Sequence, residues 1–231
     1  MTLSLGQKSF EIARDKDDEI WAITVVTLFN SILENIQGCS DIIQGILQLE
    51  LTELNSAQTP NYQIMLLQGV AMCLWYDMGQ TVSMLDQQGA MDTFFQFVFQ
   101  KIEDVKNDFE VKRFVLGLSA LLVNSGEMPD SVKNQYSNII KALAFLARRS
   151  IEIRQKELEG KQKAEEADVE DHGEAIICED EEDANIDIDS DEEDEDYDYD
   201  EDDMDGDDNM YDSPLDELDE VLHLQNQLNN L

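Results

Sequence analysis

The sequence predicts an all-α protein in which pairs of helices stack side by side, followed by an acidic segment and a short terminal helix. Apolar residues recur at helical spacing in segments of about 12–20 residues, and no run of alternating residues indicates a strand. The helix pairs repeat at intervals of about 40–50 residues. The chain of 231 residues carries 53 Asp and Glu but only 15 Lys and Arg, and most of this imbalance lies after residue 164.

The first pair of helices is predicted over residues 17–54. Residues 17–37 place apolar side chains at helical spacing, from Ile20 through Phe29 to Ile36. Gly38 then fits the position that follows a helix C-terminus. Ser40 is a candidate N-cap for the second helix, whose apolar residues continue to residue 54.

The next four helices are predicted over residues 60–122. Thr59 and Pro60 predict a cap followed by proline at the first helical position. The helix that follows, to about residue 77, is apolar on nearly all faces, so we expect it to be covered from two or more sides. Gly79 and Gly89 bracket a short helix. Two further helices are predicted over residues 90–102, which contain four phenylalanines, and 109–122.

A long closing helix is predicted from Met128, because the following Pro129, Asp130 and Ser131 are typical of a helix start. Three helix pairs, near residues 17–54, 60–88 and 90–123, precede it. Their period is typical of HEAT-type repeats. The sequence therefore favours a HEAT-repeat α-solenoid over residues 17–163, after an N-terminal lead at residues 1–16, and a globular helical bundle is the alternative.

Residues 164–210 form an acidic segment that is predicted to be disordered, because such a chain cannot bury enough apolar surface to offset its conformational entropy. Residues 165–231 hold 32 acidic residues and no Lys or Arg. The densest part, here called the acidic run, is a candidate site for basic proteins, since its carboxylates attract them in a salt-dependent manner. A solubilising tail without a ligand is the alternative. The candidate residues of the run are Asp187, Asp189, Asp191, Glu192, Glu193, Asp194, Glu195, Asp196, Asp198, Asp200, Glu201, Asp202, Asp203 and Asp205.

Two further features bear on the acidic run. Ser190 precedes four acidic residues and is a candidate phosphorylation site, where a phosphate would add to the negative charge. A basic patch near the end of the long helix is a candidate docking site for the acidic tail of the same chain. It consists of Arg148, Arg149, Arg154 and Lys156. The alternative is a solvated helix face whose cations suit the C-terminal end of the helix dipole.

The last residues, 211–231, predict a short amphipathic helix. Ser213 is a candidate N-cap and Pro214 fits the first helical position. Leucines at helical spacing follow, from Leu215 to Leu228. We expect this helix to be the ordered element of the region after residue 164.

Four stretches of the chain resemble one known family, in the same order. They are YQIMLLQGVAMCLWY (62–76), KRFVLGLSALL (112–122), MPDSVKNQYSNIIKALAFLAR (128–148) and, after the acidic run, YDSPLDELDEVLHLQNQL (211–228). Over residues 55–231 the chain resembles the C-terminal HEAT repeats of the importin-beta superfamily, specifically the importin-seven/importin-eight branch. The N-terminal repeats of that family, which contact the Ran GTPase, have no counterpart in this sequence.

This resemblance implies the C-terminal part of a nuclear transport receptor that binds and shields basic cargo, such as ribosomal proteins or histones. It also implies nucleoporins and, in the full-length family, the Ran GTPase as partners. The implied location is the cytoplasm and nucleus, with shuttling through the nuclear pore. Two other functions stay open: an acidic chaperone of histones or ribosomal proteins, and a HEAT-repeat scaffold subunit.

Charge and motif content argue against several other classes. The net charge of -38 repels phosphate, and no basic stripe with interleaved aromatic residues indicates nucleic-acid binding. No apolar run is long enough to span a membrane. The cysteines (Cys39, Cys73 and Cys178) and two histidines lack the spacing of metal ligands, and no nucleophile–base pair or phosphate-binding loop is found. We therefore expect no enzymatic activity, no cofactor, and no nucleic-acid or membrane partner.

Overall fold

The structure, a computed structural model, describes residues 8, 10–11, 19–123, 128–171, 214–215 and 217–229; for residues 20, 21 and 161–171 it describes the backbone alone. Within these residues the backbone forms α-helices, a short 3-10 helix and turns, and it forms no strand. The prediction of an all-α protein is therefore confirmed for the described part of the chain.

The bounds of the helices agree closely with the predicted segments, apart from the differences given below. They are α1 (Glu19–Asn35), α2 (Ser40–Leu54), α3 (Pro60–Tyr76), α4 (Met78–Gln87), α5 (Met91–Lys101) with the 3-10 helix Ile102–Asp104 after it, α6 (Asp108–Ala120), α7 (Asp130–Lys133), α8 (Tyr136–Asp171) and α9 (Glu220–Asn229). The chain divides into two compact units, one of Met1–Lys156 with Ser213–Leu231 and one of Glu157–Asp212.

The helices of the first unit contact one another in two rows. In the first row α1 packs against α3, α3 against α6, and α6 against α9. In the second row α2 packs against α4, α4 against α5, and α5 against α7. Helix α3 joins the two rows because it also contacts α2, α4 and α5.

The central position of α3 follows from its sequence. Its side chains from Leu66 to Leu74 are all buried, as expected for a helix that is apolar on most faces. Helix α6 approaches α3 closely at Gly117, where a Cβ atom would overlap the backbone of Ala71. A larger residue at this position would push the two helices apart, so Gly117 is required for their spacing.

A chain of polar side chains crosses the first row of helices. The Arg113 guanidinium on α6 donates to Glu34 of α1 at 2.8 Å and to Gln68 of α3 at 3.0 Å. Gln68 donates in turn to Glu110 at 3.4 Å, and Glu110 also accepts from the backbone amide of Asn107. Because Glu34, Gln68 and Glu110 are buried, these hydrogen bonds replace lost contacts with water. The network therefore links α1, α3 and α6.

Two predicted helix starts are wrong in detail. Ser40 is the first residue of α2 and not its cap, and Cys39 before it makes no side-chain cap hydrogen bond. The Cys39 amide donates instead to the phenolic oxygen of Tyr76 at 2.6 Å. Gly79 lies inside α4, because the Asp77 side chain caps that helix by accepting from its third amide at 3.0 Å. Groups at the end of α3 thus satisfy amides at both helix starts.

The long helix predicted from Met128 to residue 163 is two helices, α7 and α8. Helix α8 extends to Asp171, so the backbone of residues 164–171 is helical where the start of the disordered segment was predicted. The two helices are separated at residues 134–135, where the Gln135 amide donates to the Val132 carbonyl three residues earlier. Such a bond belongs to a tighter 3-10 turn and interrupts the α-helical pattern. The hydroxyl of Ser131 in α7 donates to Asp86 of α4 at 2.9 Å and ties the short helix to the second row.

Candidate interaction surfaces

The acidic run lies outside the residues that the structure describes. This holds for all its candidate residues from Asp187 to Asp205 and for Ser190. The run precedes residues 214–229, here called the C-terminal segment, which belong to the same compact unit as α1–α7. Binding of basic proteins by the run therefore stays a prediction from sequence.

The candidate basic patch lies on α8, and its residues have different surroundings. Arg148 donates to Glu152 at 3.0 Å, one turn along the same helix. The Arg149 guanidinium lies 3.8 Å from the same carboxylate. Lys156 is exposed, whereas Arg154 contacts the C-terminal segment. Two arginines of the patch are thus engaged within α8 and the third is engaged elsewhere.

Arg154 binds two carboxylates of the C-terminal segment. Its Nη2 donates to Glu220 Oε2 at 2.5 Å, and its Nη1 lies 3.6 Å from Asp219 Oδ2. The hydroxyl of Ser150, one turn earlier on α8, donates to the other oxygen of the Glu220 carboxylate. Ser150 and Glu220 are fully buried, so these donors replace the water that the carboxylate loses. A predicted patch residue thus contacts acidic residues that lie after the predicted run.

The terminal helix starts later than its sequence predicts. Helix α9 begins at Glu220 and not near residue 213, and before it the Leu218 amide donates to the Leu215 carbonyl in a turn. Asp219 caps the helix, because its side chain accepts from two backbone amides of the first turn at 3.0 and 2.9 Å. Leu215 is 1% exposed. Leu215 therefore lies in the turn before the helix, and the Asp219 cap marks the helix start.

The C-terminal segment is attached mainly by a few buried side chains. Leu215 is buried, and Leu224 joins the main hydrophobic core. Glu220 and Leu224 are four residues apart and therefore lie on the same face of α9, which packs against α6. Leu222 and Leu228 are 55% and 45% exposed. The helix is thus held along one narrow face.

The surroundings of the C-terminal segment lower the pKa of two of its side chains, Asp219 and His223. The backbone amide of Leu222 lowers the pKa of the Asp219 carboxyl, and the Arg154 guanidinium lowers it further. Burial lowers the pKa of His223, which lies on α9. The docked segment therefore favours an ionised Asp219 and a neutral imidazole.

The interface of α2 and α3 buries a carboxyl group in a different way. Glu50 is fully buried, and neither of its oxygens has a hydrogen-bond partner. It occupies the space left by Gly69 of α3, where a Cβ atom would overlap the carboxyl group. Burial raises the pKa of Glu50 well above its ordinary value. Burial also raises the pKa of the Cys73 thiol, and the charge of Glu50 raises it further.

Sequence reasoning missed Ser150, Glu220 and Glu50. Glu220 precedes Leu224 by one helical turn, and this spacing was the available sign that the acidic residue faces inward. Ser150 and Arg154 share the same one-turn spacing on α8. The sequence does not pair the two helices, however, because Ser150 and Glu220 lie 70 residues apart.

Among the residues that the structure describes, no group of three or more His, Cys, Asp and Glu side chains is placed to hold a metal ion. None of the helices described there combines the length and apolarity needed to cross a bilayer. Cys39 and Cys73 are free thiols, and Cys178 lies outside the described residues.

Comparison with protein-family models, with curated proteins and with solved structures finds no match to this chain. The resemblance to the importin-beta superfamily therefore rests on four stretches of the sequence, at residues 62–76, 112–122, 128–148 and 211–228.

Proposed function

We propose that the chain is the C-terminal part of a nuclear transport receptor of the importin-beta superfamily, and that its acidic run binds and shields basic cargo proteins. The helix pairs would then be HEAT-type repeats. In favour of such repeats, each of the two rows of contacts takes one helix from each of the three pairs, although the third pair enters the rows in reverse order, with α6 after α3 and α5 after α4. Ribosomal proteins and histones are the proposed cargo, and nucleoporins are further proposed partners.

The concentration of charge carries this proposal. Residues 165–231 hold 32 acidic residues and no Lys or Arg, so the cations that balance them come from dissolved salt, from elsewhere in the chain or from a basic ligand. Within α8, Arg148 and Arg149 pair with Glu152, and Arg154 pairs with Glu220. These pairs compete with docking of the run on the chain's own basic patch. An external basic protein is thus the ligand that the charges favour.

A binding measurement tests the role of the run. The probe is a fluorescently labelled peptide of about 20 residues composed of Lys, Arg and Gly, and the test variant replaces the run's Asp and Glu residues by Asn and Gln. We expect the full chain to bind the probe at least tenfold more tightly than the variant at low salt. We also expect this difference to shrink as added salt screens the charges.

A matched control separates the run from the overall charge. The variant Asp41→Asn, Asp92→Asn, Glu103→Gln removes three exposed acidic residues from the helices, and Glu192→Gln, Asp194→Asn, Asp196→Asn removes three from the run. The run variant is expected to weaken probe binding more than the helix variant. Equal effects would contradict a specific role of the run. A truncation at residue 165 is less suitable because it also removes Glu220 and Leu224, which pack against the folded unit.

A second probe distinguishes a transport receptor from an acidic chaperone or a scaffold subunit. Nucleoporins are partners that the resemblance implies for a transport receptor, so a labelled purified nucleoporin serves as the probe. A receptor fragment is expected to bind this nucleoporin even when the run's Asp and Glu residues are replaced. Binding of basic cargo without binding of the nucleoporin would favour the chaperone.

A further inference from the structure

The surface under the C-terminal segment combines a polar and an apolar recognition feature. On α8, Ser150 and Arg154 lie one turn apart and both bind the carboxylate of Glu220. Leu224, one turn after Glu220 on α9, enters the hydrophobic core. The surface therefore selects a helix that has a carboxylate in its first turn and a leucine one turn later.

The present occupant of this surface depends on the surface for its structure. Helix α9 has ten residues, and isolated helices shorter than about 12–15 residues are marginal in water. Its packing is confined to one face, since Leu222 and Leu228 remain largely exposed. Segments with few buried contacts open at low free-energy cost compared with the core. Docking and folding of this helix are thus one coupled event.

We propose that this surface is an exchangeable docking site, and that its second occupant is a helix of another protein that begins with Asp-Glu and carries a leucine four residues after the Glu. The chain's own segment, with Asp219, Glu220 and Leu224, fills the site when that partner is absent. Charge complementarity requires an acidic occupant, because the Arg154 cation contacts the carboxylates of Asp219 and Glu220 in the docked state. This inference is independent of the acidic run and of basic cargo.

A peptide added in trans tests whether the site exchanges its occupant. The probe is a fluorescently labelled synthetic peptide with the sequence of residues 214–229. In the full-length Leu224→Ala variant, the chain's own segment competes less well for the site. We expect the probe to bind this variant at least tenfold more tightly than the unmodified chain. A second full-length variant, Glu220→Gln, weakens the same competitor by removing its charge and keeps the test valid if Leu224→Ala fails to fold.

Variants of the peptide and of the site test the recognition chemistry. A peptide with the Glu220→Gln change is expected to bind at least tenfold more weakly, whereas the matched Glu217→Gln change removes an exposed charge and is expected to alter binding less than twofold. Adding Arg154→Met to the Leu224→Ala chain is expected to abolish the preference for the Glu220 peptide.

Three results would overturn the proposal. The first is absence of probe binding to both weakened chains, and the second is equal binding of the Glu220→Gln and Glu217→Gln peptides. The third is a stable dimer of the unmodified chain in which two copies exchange their C-terminal segments. That dimer would make a second copy the occupant in place of a different protein.

Discussion

Glu50 and Glu220 are both fully buried glutamates, but the two interfaces that bury them treat the carboxyl group differently. Glu50 lies between α2 and α3 without a hydrogen-bond partner for either oxygen. Glu220 lies between the C-terminal segment and α8, where Ser150 and Arg154 bind its two oxygens. Burial alone therefore does not determine whether a glutamate stabilises or destabilises the fold. The hydrogen-bond donors and charges that face its carboxyl group determine this.

The two interfaces differ in how far apart their partners lie in the sequence and in how much apolar surface they share. Helices α2 and α3 are joined by a short connection, and their apolar side chains bury Glu50 among them. The C-terminal segment returns after residues 172–213 and has a narrower apolar face. Its ion pair adds a directional contact that fixes where α9 lies. Buried ion pairs contribute modest net stability, but they strongly penalise any arrangement that separates the partners.

Removing the cation at the C-terminal interface is expected to have the largest effect. The Arg154→Met substitution leaves the buried Glu220 carboxylate without its charged partner. Because the Arg154 side chain is 36% exposed, water can reach the site, and we expect a cost of about 3 kcal/mol, at the lower end for buried pairs. That loss is enough to release a ten-residue helix held along one face. Hydrogen exchange should therefore become fast for the amides of α9 while those of α3 remain protected.

The Arg148→Met substitution is the matched control for that experiment. Arg148 is on the same helix but pairs with Glu152 at the surface. Exchange in α9 should be unchanged in this variant. If Arg154→Met leaves α9 as protected as in the unmodified chain, the ion pair does not hold the segment and the contrast between the two glutamates fails.

Replacing each buried glutamate by methionine should change stability in opposite directions. Glu50→Met removes an unsatisfied buried group and keeps most of the side-chain volume, so we expect the free energy of unfolding to rise by about 1–3 kcal/mol. Glu220→Met leaves Ser150 and Arg154 without their acceptor and should weaken docking of the C-terminal segment. Denaturant unfolding measures the first effect and hydrogen exchange in α9 the second. Effects of the same sign would mean that the groups facing the two carboxyls do not determine what each glutamate contributes to stability.

The two interfaces should also respond to pH in opposite directions. Burial raises the pKa of Glu50, so the folded state favours the neutral carboxyl. The stability that this preference gives is fully present below the ordinary pKa of 4.5 and is lost as pH rises through the raised pKa of the folded state. Burial lowers the pKa of His223, so the folded state favours the neutral imidazole. The stability that this preference gives is fully present above the ordinary pKa of 6.5 and is lost as pH falls through the lowered pKa of the folded state.

Two measurements check these pH dependences. The free energy of unfolding should fall as pH rises above 4.5, and Glu50→Met should reduce that slope. Docking of α9, measured by hydrogen exchange corrected for the intrinsic rate at each pH, should weaken as pH falls below 6.5, and His223→Gln should reduce that change. If the pH dependence of α9 docking is unchanged in His223→Gln, another titratable group causes it.

Much of the fold could be predicted because its signals are local. The apolar periodicity and the Thr59-Pro60 pair located most helices, and Thr59 does cap α3 by accepting from the Tyr62 amide. The errors occur where a distant group replaces a local one, as when Tyr76 binds the Cys39 amide at the start of α2. Local patterns predict which residues are helical better than they predict which group satisfies a helix end.

The candidate surfaces were harder to predict for the same reason. The sequence places Arg154 in a basic patch, but its partners are 65 and 66 residues later in the sequence. Ser150 has no distinctive sequence context, since a serine within a helix is most often a neutral surface residue. The burial of Glu50 could not be predicted from the apolar pattern of α2, because the space that receives its carboxyl group depends on Gly69 of the neighbouring helix.

The smallest effect on stability is expected at Arg148, on the exposed side of α8. Arg148 has a side chain that is 82% exposed, and it pairs with Glu152 four residues later on α8. Because water screens such a pair, Arg148→Ala should lower the free energy of unfolding by only about 0.3–0.5 kcal/mol. Thermal unfolding of this variant beside Arg154→Met measures both arginines on one helix under the same conditions. An Arg148 effect as large as that of Arg154 would mean that position on α8, and not burial of the paired carboxylate, determines what these arginines contribute.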